Sequence, residues 1–74
     1  GWCNKDAFWY NVTLTTNDYT ISAIPISGQG DKDYCANGDN TVRVDASTSA
    51  IIGVAGTAPS AGVTYAACQA LAAQ

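Results

Sequence analysis

FWYNVTLTTNDYTISAIP, residues 8–25, is the stretch that decides the fold. Apolar and polar residues alternate along residues 8–15 and again along residues 19–24. Side chains of a strand point to opposite faces with a period of two, so each half predicts a half-buried strand. The intervening Thr16-Asn17-Asp18 predicts a turn, because Asn and Asp tolerate positive φ and bond to nearby backbone. The stretch therefore predicts an antiparallel hairpin.

The first predicted strand has one apolar face and one polar face. The apolar face contains Phe8, Tyr10, Val12 and Leu14. Asn11 lies on the opposite face and begins Asn-Val-Thr, which matches the acceptor motif for N-glycosylation. A glycan on Asn11 would project outward there, but we favour an unmodified, exposed strand residue. Trp2, Trp9, Tyr10 and Tyr34 are candidates for an aromatic binding surface, although aromatic residues in sheets mostly pack.

The rest of the chain predicts more sheet and few other elements. Residues 1–7 are interpreted as a leading loop and residues 27–40 as a long polar loop. The alternation returns over residues 41–45, which predict a third strand, and the apolar residues 51–54 are a candidate fourth strand.

The C-terminal residues change to a helical pattern. Within residues 63–73, alanine, the best helix former, fills most positions between the larger residues. Larger residues recur at helical spacing at Tyr65, Cys68 and Leu71. We expect an amphipathic helix here, capped near Thr64. The predicted fold is α+β: one domain, residues 1–74, with an antiparallel sheet of three to four strands and a short C-terminal helix.

Size and charge exclude several functions. The chain has 74 residues and a net charge of −3, and its cations are Lys5, Lys32 and Arg43. Without a basic patch, binding to nucleic acid or to anionic lipid is not expected. No apolar run approaches the roughly 20 residues of a membrane helix, so direct membrane insertion is not expected either. Because the chain starts at Gly1 without an initiator Met or a signal peptide, we interpret it as a mature or trimmed product.

Catalytic residues are scarce. The chain has no His, which excludes Ser-His and Cys-His nucleophilic triads within it. We expect neither enzymatic activity nor a cofactor. A weak calcium candidate lies in residues 30–40, where hard oxygen ligands recur at Asp31, Asp33, Asn37 and Asp39. The spacing departs from that of an EF-hand, so we favour a solvated, Asx-rich turn and predict no metal site.

The three cysteines are far apart in the sequence. Cys3, Cys35 and Cys68 form no CxxC pair, which disfavours a metal site. In a small secreted domain they predict one disulfide and one odd cysteine. Cys3–Cys35 and Cys35–Cys68 would close loops of nearly equal length, each worth roughly 3.5–4 kcal/mol, so loop entropy does not choose between them.

The order of these pieces resembles the C-terminal globular half of type IV pilins over residues 8–56. The matching pieces are Phe8-Trp9-Tyr10-Asn11-Val12, Tyr19-Thr20-Ile21-Ser22-Ala23-Ile24-Pro25, Gly28-Gln29-Gly30-Asp31, Cys35 and the strand Thr41–Asp45. The family's long apolar N-terminal helix has no counterpart here. Either the chain is a trimmed soluble form, or it is the larger chain of a split pilin whose helix is a separate chain.

The resemblance implies a structural role. It predicts the globular domain of an extracellular, cell-surface filament subunit, with adhesion among the possible roles of such a filament. Cys35–Cys68 would close the family's disulfide loop and pin the helix to the sheet, whereas Cys3 stays reduced or pairs outside the chain. The expected partners are other pilin subunits or a separate apolar helix lying across Phe8, Tyr10, Val12 and Leu14, while polar faces meet solvent. The alternative is a small secreted disulfide-containing binding module, such as an effector, toxin subunit or adhesin.

Overall fold

The computed structural model of the chain describes residues 2–26, 30–48, 51–57 and 62–74. Six antiparallel strands form one sheet in chain order, so sequence neighbours pair. The strands are β1 (Cys3–Lys5), β2 (Phe8–Leu14), β3 (Tyr19–Pro25), β4 (Lys32–Asn37), β5 (Val42–Ala46) and β6 (Ala72–Ala73), and helix α1 (Tyr65–Gln69) precedes β6. The described part of the chain is therefore a β meander with one short helix.

This architecture shows that the predicted α+β class is wrong. The sheet has six strands rather than three to four, and the helix has five residues. The protein is mostly β because two predicted loops and part of the predicted helix contain strands.

The predicted hairpin of residues 8–25 is confirmed. β2 pairs with β3 in a register that runs from Phe8 opposite Pro25 to Leu14 opposite Tyr19. The Thr15 amide donates to the Asp18 carbonyl at 2.9 Å and closes the turn. Seven consecutive cross-strand pairs make this hairpin the longest pairing in the sheet.

Strands β1 and β4 lie in segments that were predicted to be loops. In β4, Asp33, Cys35 and Asn37 are buried although two of them are polar, which hides the hydrophobic alternation that a half-buried strand normally shows. β1 consists of three residues, all of them exposed, and is defined by its pairing with β2, from Cys3 opposite Tyr10 to Lys5 opposite Phe8. Neither strand could be identified from hydrophobic pattern alone.

The C-terminal helix begins as predicted but ends early. Thr64 is its N-cap, and its side chain accepts a hydrogen bond from the Ala67 amide at 3.2 Å. The Arg43 guanidinium then binds the carbonyls of Gln69 and Leu71 at 3.3 and 2.9 Å, which satisfies acceptors that a longer helix would use internally. The remaining residues pair with β5 as β6, so the prediction of a helix to residue 73 is wrong.

The candidate fourth strand over residues 51–54 is also not a strand. Residues 51–57, here called the cover segment, form turns that lie over one face of the sheet. The amides of Ala55 and Gly56 donate to the carbonyls of Ser47 and Pro25, each at 2.9 Å, and Ile52 is buried. The apolar run therefore supplies a core residue without joining the ladder.

The sheet has one covered face and one open face. The cover segment, Val63 and α1 lie over the covered face, where a small core forms. Its buried apolar residues are Ile24, Cys35, Ile52, Val63 and Cys68, with Trp2, Trp9, Ala67 and Leu71 packed against them. The opposite face, here called the open face, presents the other half of each strand's residues and has no such layer over it among the described residues.

Candidate functional site

The open face is apolar across four strands. β2 contributes the predicted interface residues Phe8, Tyr10, Val12 and Leu14, and the strand registers bring Tyr19, Ile21, Ala23, Tyr34, Ala36, Val42 and Val44 beside them. Val12 is 58% exposed, Leu14 79%, Ile21 37% and Val42 43%. Large exposed apolar patches are unusual on monomeric proteins and mark interaction surfaces.

An aromatic groove crosses the open face near its centre. Its volume is about 310 Å³, and it is lined by Phe8, Tyr10, Ala23, Tyr34, Val42 and Gln74. The Phe8 ring lies 6.1 Å from that of Tyr10 and 6.2 Å from that of Tyr34, in tilted and edge-to-face geometry. Ala23 forms a low point between the rings because its side chain is small. Trp2 and Trp9 pack against the core instead, so the four aromatic candidates do not form one surface.

The charged strand residues on the open face are both lysines. By strand alternation, Lys5 and Lys32 lie on this face, and both are exposed. Among the described strand residues, no aspartate lies on it. Two of the three cations of an acidic chain therefore lie on the open face, with the exposed Asp6 and Asp31 next to them in the sequence. Cys3, opposite Tyr10, lies on the same face as an exposed free thiol.

The covered face is polar where solvent exposure was expected. Asn11, Thr20 and Ser22 are 8%, 0% and 0% exposed, so the expectation that the Thr, Asn and Ser face meets solvent is wrong. The Val63 amide donates to Ser22 Oγ at 3.2 Å, and Thr13 Oγ1 donates to Asn11 Oδ1 at 3.1 Å. Asn11 is thus not the exposed residue that was expected, and a glycan on it would have to displace the chain at Gly62.

The structure pairs Cys35 with Cys68, and Cys3 is free. This disulfide joins β4 to α1, and both of its cysteines lie in the core. It provides the connection between helix and sheet for which the Cys35–Cys68 pairing was preferred.

A polar network also fastens α1 to the sheet. Asn37 Nδ2 donates to the Tyr19 carbonyl and to Thr20 Oγ1 at 3.1 and 2.8 Å. Gln69 Nε2 donates to Asn37 Oδ1 at 2.6 Å and to Asp39 Oδ2 at 3.3 Å. The Thr41 amide, with Gln69 and Arg43, lowers the pKa of Asp39.

The weak calcium candidates do not converge on one point. The side chains of Asp33 and Asn37 are buried on the covered face of the sheet, whereas those of Asp31 and Asp39 are exposed. Asp33 and Asn37 are four residues apart on β4, which places them about 13 Å apart along the strand. The described residues contain no group of three or more His, Cys, Asp or Glu suited to a metal. The alternating oxygen ligands are explained by a strand, so these four residues are not a calcium loop.

Asp33 has a partner that sequence reasoning missed. β4 and β5 place Asp33 directly opposite Asp45 on the covered face. Burial, and then repulsion by Asp45, raise the pKa of Asp33 to about 7, while the nearby Gly53 amide favours its charged form. The two residues are 12 apart in sequence, and only the register of the hairpin would have identified the pair.

Comparison with known proteins gives no family assignment. In the part of the chain that the structure describes, no helix is long and apolar enough to cross a membrane. No protein-family model matches the sequence, and searches of the curated proteins and of the solved structures gave no match.

Proposed function

We propose that this chain is the globular domain of a structural subunit in an extracellular filament of the type IV pilus kind. Its role is to pack: the open face is covered by an apolar helix or by neighbouring subunits. The observation that carries the proposal is the apolar open face, on which Val12 and Leu14 are more than half exposed.

The open face suits a permanent partner more than a soluble monomer. Fully burying a Val or Leu side chain is worth about 1.5–3 kcal/mol, so covering the four most exposed aliphatic residues of this face would contribute several kcal/mol. An uncovered apolar sheet face is also prone to unwanted association. These terms favour an assembly in which the face is always covered.

The shape of the open face favours a helix as the covering element. β2 and β3 each have seven residues and span about 20 Å. A helix lying along them needs about 14 residues, or four turns, to cover that length. The small side chains of Ala23 and Ala36 leave a low line between larger neighbours in which such a helix can lie. Lys5 and Lys32 would favour acidic residues at the corresponding end of the partner.

The sequence resemblance supports the same proposal. Residues 8–56 contain the aromatic strand, the strand that ends at Pro25, Cys35 and the strand near Val42 in the order that resembles type IV pilins. The disulfide Cys35–Cys68 closes a loop near the C-terminus, which in that family often carries subunit contacts.

Negative-stain microscopy of native material tests the proposal. Surface material from the producing cells should contain thin filaments, and peptide mass spectrometry of purified filaments should identify this chain. Recovery of the chain only as a soluble species, with no filament that contains it, would refute the structural role.

The aromatic groove favours one second candidate, a small secreted binding module. Phe8, Tyr10 and Tyr34 surround a volume of about 310 Å³, which is large enough for a small apolar ligand or side chain. Such a module would bind its ligand as a monomer. Purified native chain that is monomeric and binds a ligand reversibly in this groove would favour the module over the filament subunit.

A further inference from the structure

Two aspartates face each other beneath the cover segment without neutralising partners. Asp33 and Asp45 are directly opposed on β4 and β5, and Asp33 has no exposed surface. Opposed residues of antiparallel strands have Cβ atoms about 4.5–5.5 Å apart. Both oxygens of Asp33 and Oδ2 of Asp45 are buried without a hydrogen-bond partner. The Gly53 amide approaches Asp33 but completes no hydrogen bond of good geometry to it.

The surroundings of this pair supply no positive charge. β3 presents Ser22 and Ile24 on the same face, and the cover segment contains no titratable residue. α1 contributes Tyr65 and the disulfide-bonded Cys68. Lys32 precedes Asp33 but lies on the open face, away from the pair. Arg43 lies two residues from Asp45 on the same strand, but its guanidinium is bound to Asp39 and to the carbonyls of Gln69 and Leu71. Asp45 is half-buried, and its Oδ1 accepts a hydrogen bond from the Ala46 amide at 2.9 Å, whereas Asp33 is fully buried. Ionisation of both carboxyls would therefore be opposed by their repulsion and by the burial of Asp33.

We propose that Asp33 and Asp45 share one proton and that this proton keeps the cover segment seated on the sheet. With the proton present, one neutral carboxyl can donate to its neighbour, and the pair tolerates burial. When the proton leaves, two anions lie beneath Ile52 and Gly53, and separation of the cover segment lets water reach them. The backbone bonds of Ala55 and Gly56 then open as the local readout. This pH-sensitive latch is independent of the filament role.

Hydrogen exchange tests the latch in the intact chain. The amides of Ala55 and Gly56 are followed by NMR, and their rates are divided by the intrinsic rates at each pH. Because the carboxyl of Asp33 titrates near its normal value once it is exposed, protection should fall by up to about tenfold per pH unit between pH 5 and pH 7. It should level off above that range. Protection that is independent of pH from 5 to 8 would overturn the proposal.

Matched variants locate the effect. Asp33→Asn removes the buried carboxyl and should flatten the pH dependence. Asp45→Asn removes only the repulsion and should narrow the pH range over which protection falls, because burial still opposes ionisation of Asp33. Asp31→Asn removes an exposed charge two residues away and should leave the slope unchanged. A slope that persists in Asp33→Asn, or that disappears in Asp31→Asn, would contradict the assignment.

A direct titration covers the case in which the variants do not fold. The carboxyl ¹³C shift of Asp33 in the unmodified chain should show a step near neutral pH. A single step near pH 4 would refute a proton held at this pair. Recovery of protection at pH 8 on addition of millimolar CaCl₂ would show a divalent-cation site and overturn the proton latch.

Discussion

Replacing the exposed aliphatic residues of β2 by threonine should weaken assembly without unfolding the domain. Val12 is 58% exposed and Leu14 79%, so the isolated domain buries little of either side chain. Threonine suits a strand and preserves the shape of valine. We expect Val12→Thr with Leu14→Thr to change the free energy of unfolding by less than about 0.5 kcal/mol. In the assembly, losing the burial of both side chains should cost about 2–3 kcal/mol, equivalent to roughly 30–150-fold weaker association.

The assay compares two readouts on the same variants. Urea unfolding of the isolated domain measures stability, and the amount of chain recovered in sedimented filaments from cells measures assembly. Val54→Thr is the matched control, because Val54 is 48% exposed but lies in the cover segment, away from the open face. It should leave both readouts unchanged. The reasoning is refuted if the β2 variant assembles as well as the Val54→Thr control, or if it loses assembly only by unfolding.

Three further perturbations test how the domain is held together. Cys68→Ala removes the disulfide and should destabilise the fold by about 4 kcal/mol, which lowers Tm by roughly 15 °C or more. Cys3→Ser removes the free cysteine and should change Tm little. Equal Tm values for the two variants would contradict this prediction. Gly62→Ala places a methyl group against the buried polar side chains of β2 and should cost about 1–3 kcal/mol in urea unfolding, while Gly30→Ala meets only an ordinary contact of 3.5 Å and should be neutral. Burial and repulsion raise the pKa of Asp33 from its ordinary value of 3.8 to about 7 in the folded state, so the folded state binds more protons between these values. The contribution of the Asp33 proton to stability is fully present below about pH 4 and is lost as pH rises to about 7. Urea unfolding should therefore give a free energy of unfolding that is lower at pH 7.5 than at pH 5, by on the order of a few kcal/mol. A free energy of unfolding that rises over this range would refute the prediction.

The hairpin of residues 8–25 could be predicted because its information is local. Alternation defines both strands, and turn residues between them define their connection. The N-cap at Thr64 was predictable for the same reason, since its hydroxyl satisfies an amide only three residues away. The apolar face of β2 was also identified correctly, because period-two alternation assigns Phe8 and Leu14 to one side whatever covers it.

The remaining strands depend on contacts that are distant in sequence. β4 buries the polar residues Asp33 and Asn37, so its sequence lacks the hydrophobic alternation of a strand. The side chain of Asn37 is satisfied by hydrogen bonds with residues at least 17 positions away in the sequence. β6 forms because Arg43 binds the last carbonyls of α1 and β5 offers a free edge. Alanine prefers a helix, but here tertiary contacts outweigh that preference.

The candidate site divides in the same way. The part of the open face on β2 and β3 follows from alternation within the hairpin, whereas Tyr34 and Val42 join it only through the pairing of β4 with β3 and β5. The Asp33–Asp45 pair likewise requires the register between two strands, one of which had been interpreted as a loop. The four calcium candidates do not converge, because Asp33 and Asn37 lie about 13 Å apart along β4 and Asp31 and Asp39 are exposed residues outside that strand.

The central claim is that the open face is buried in the native assembly, and hydroxyl-radical footprinting of native material measures this directly. Labelling of Tyr10, Leu14 and Tyr19 in the assembly should fall severalfold relative to the isolated domain. Val54, which is exposed on the cover segment, should serve as the internal reference and stay labelled. Equal labelling of the three open-face residues in the assembly and in the isolated domain would contradict the account.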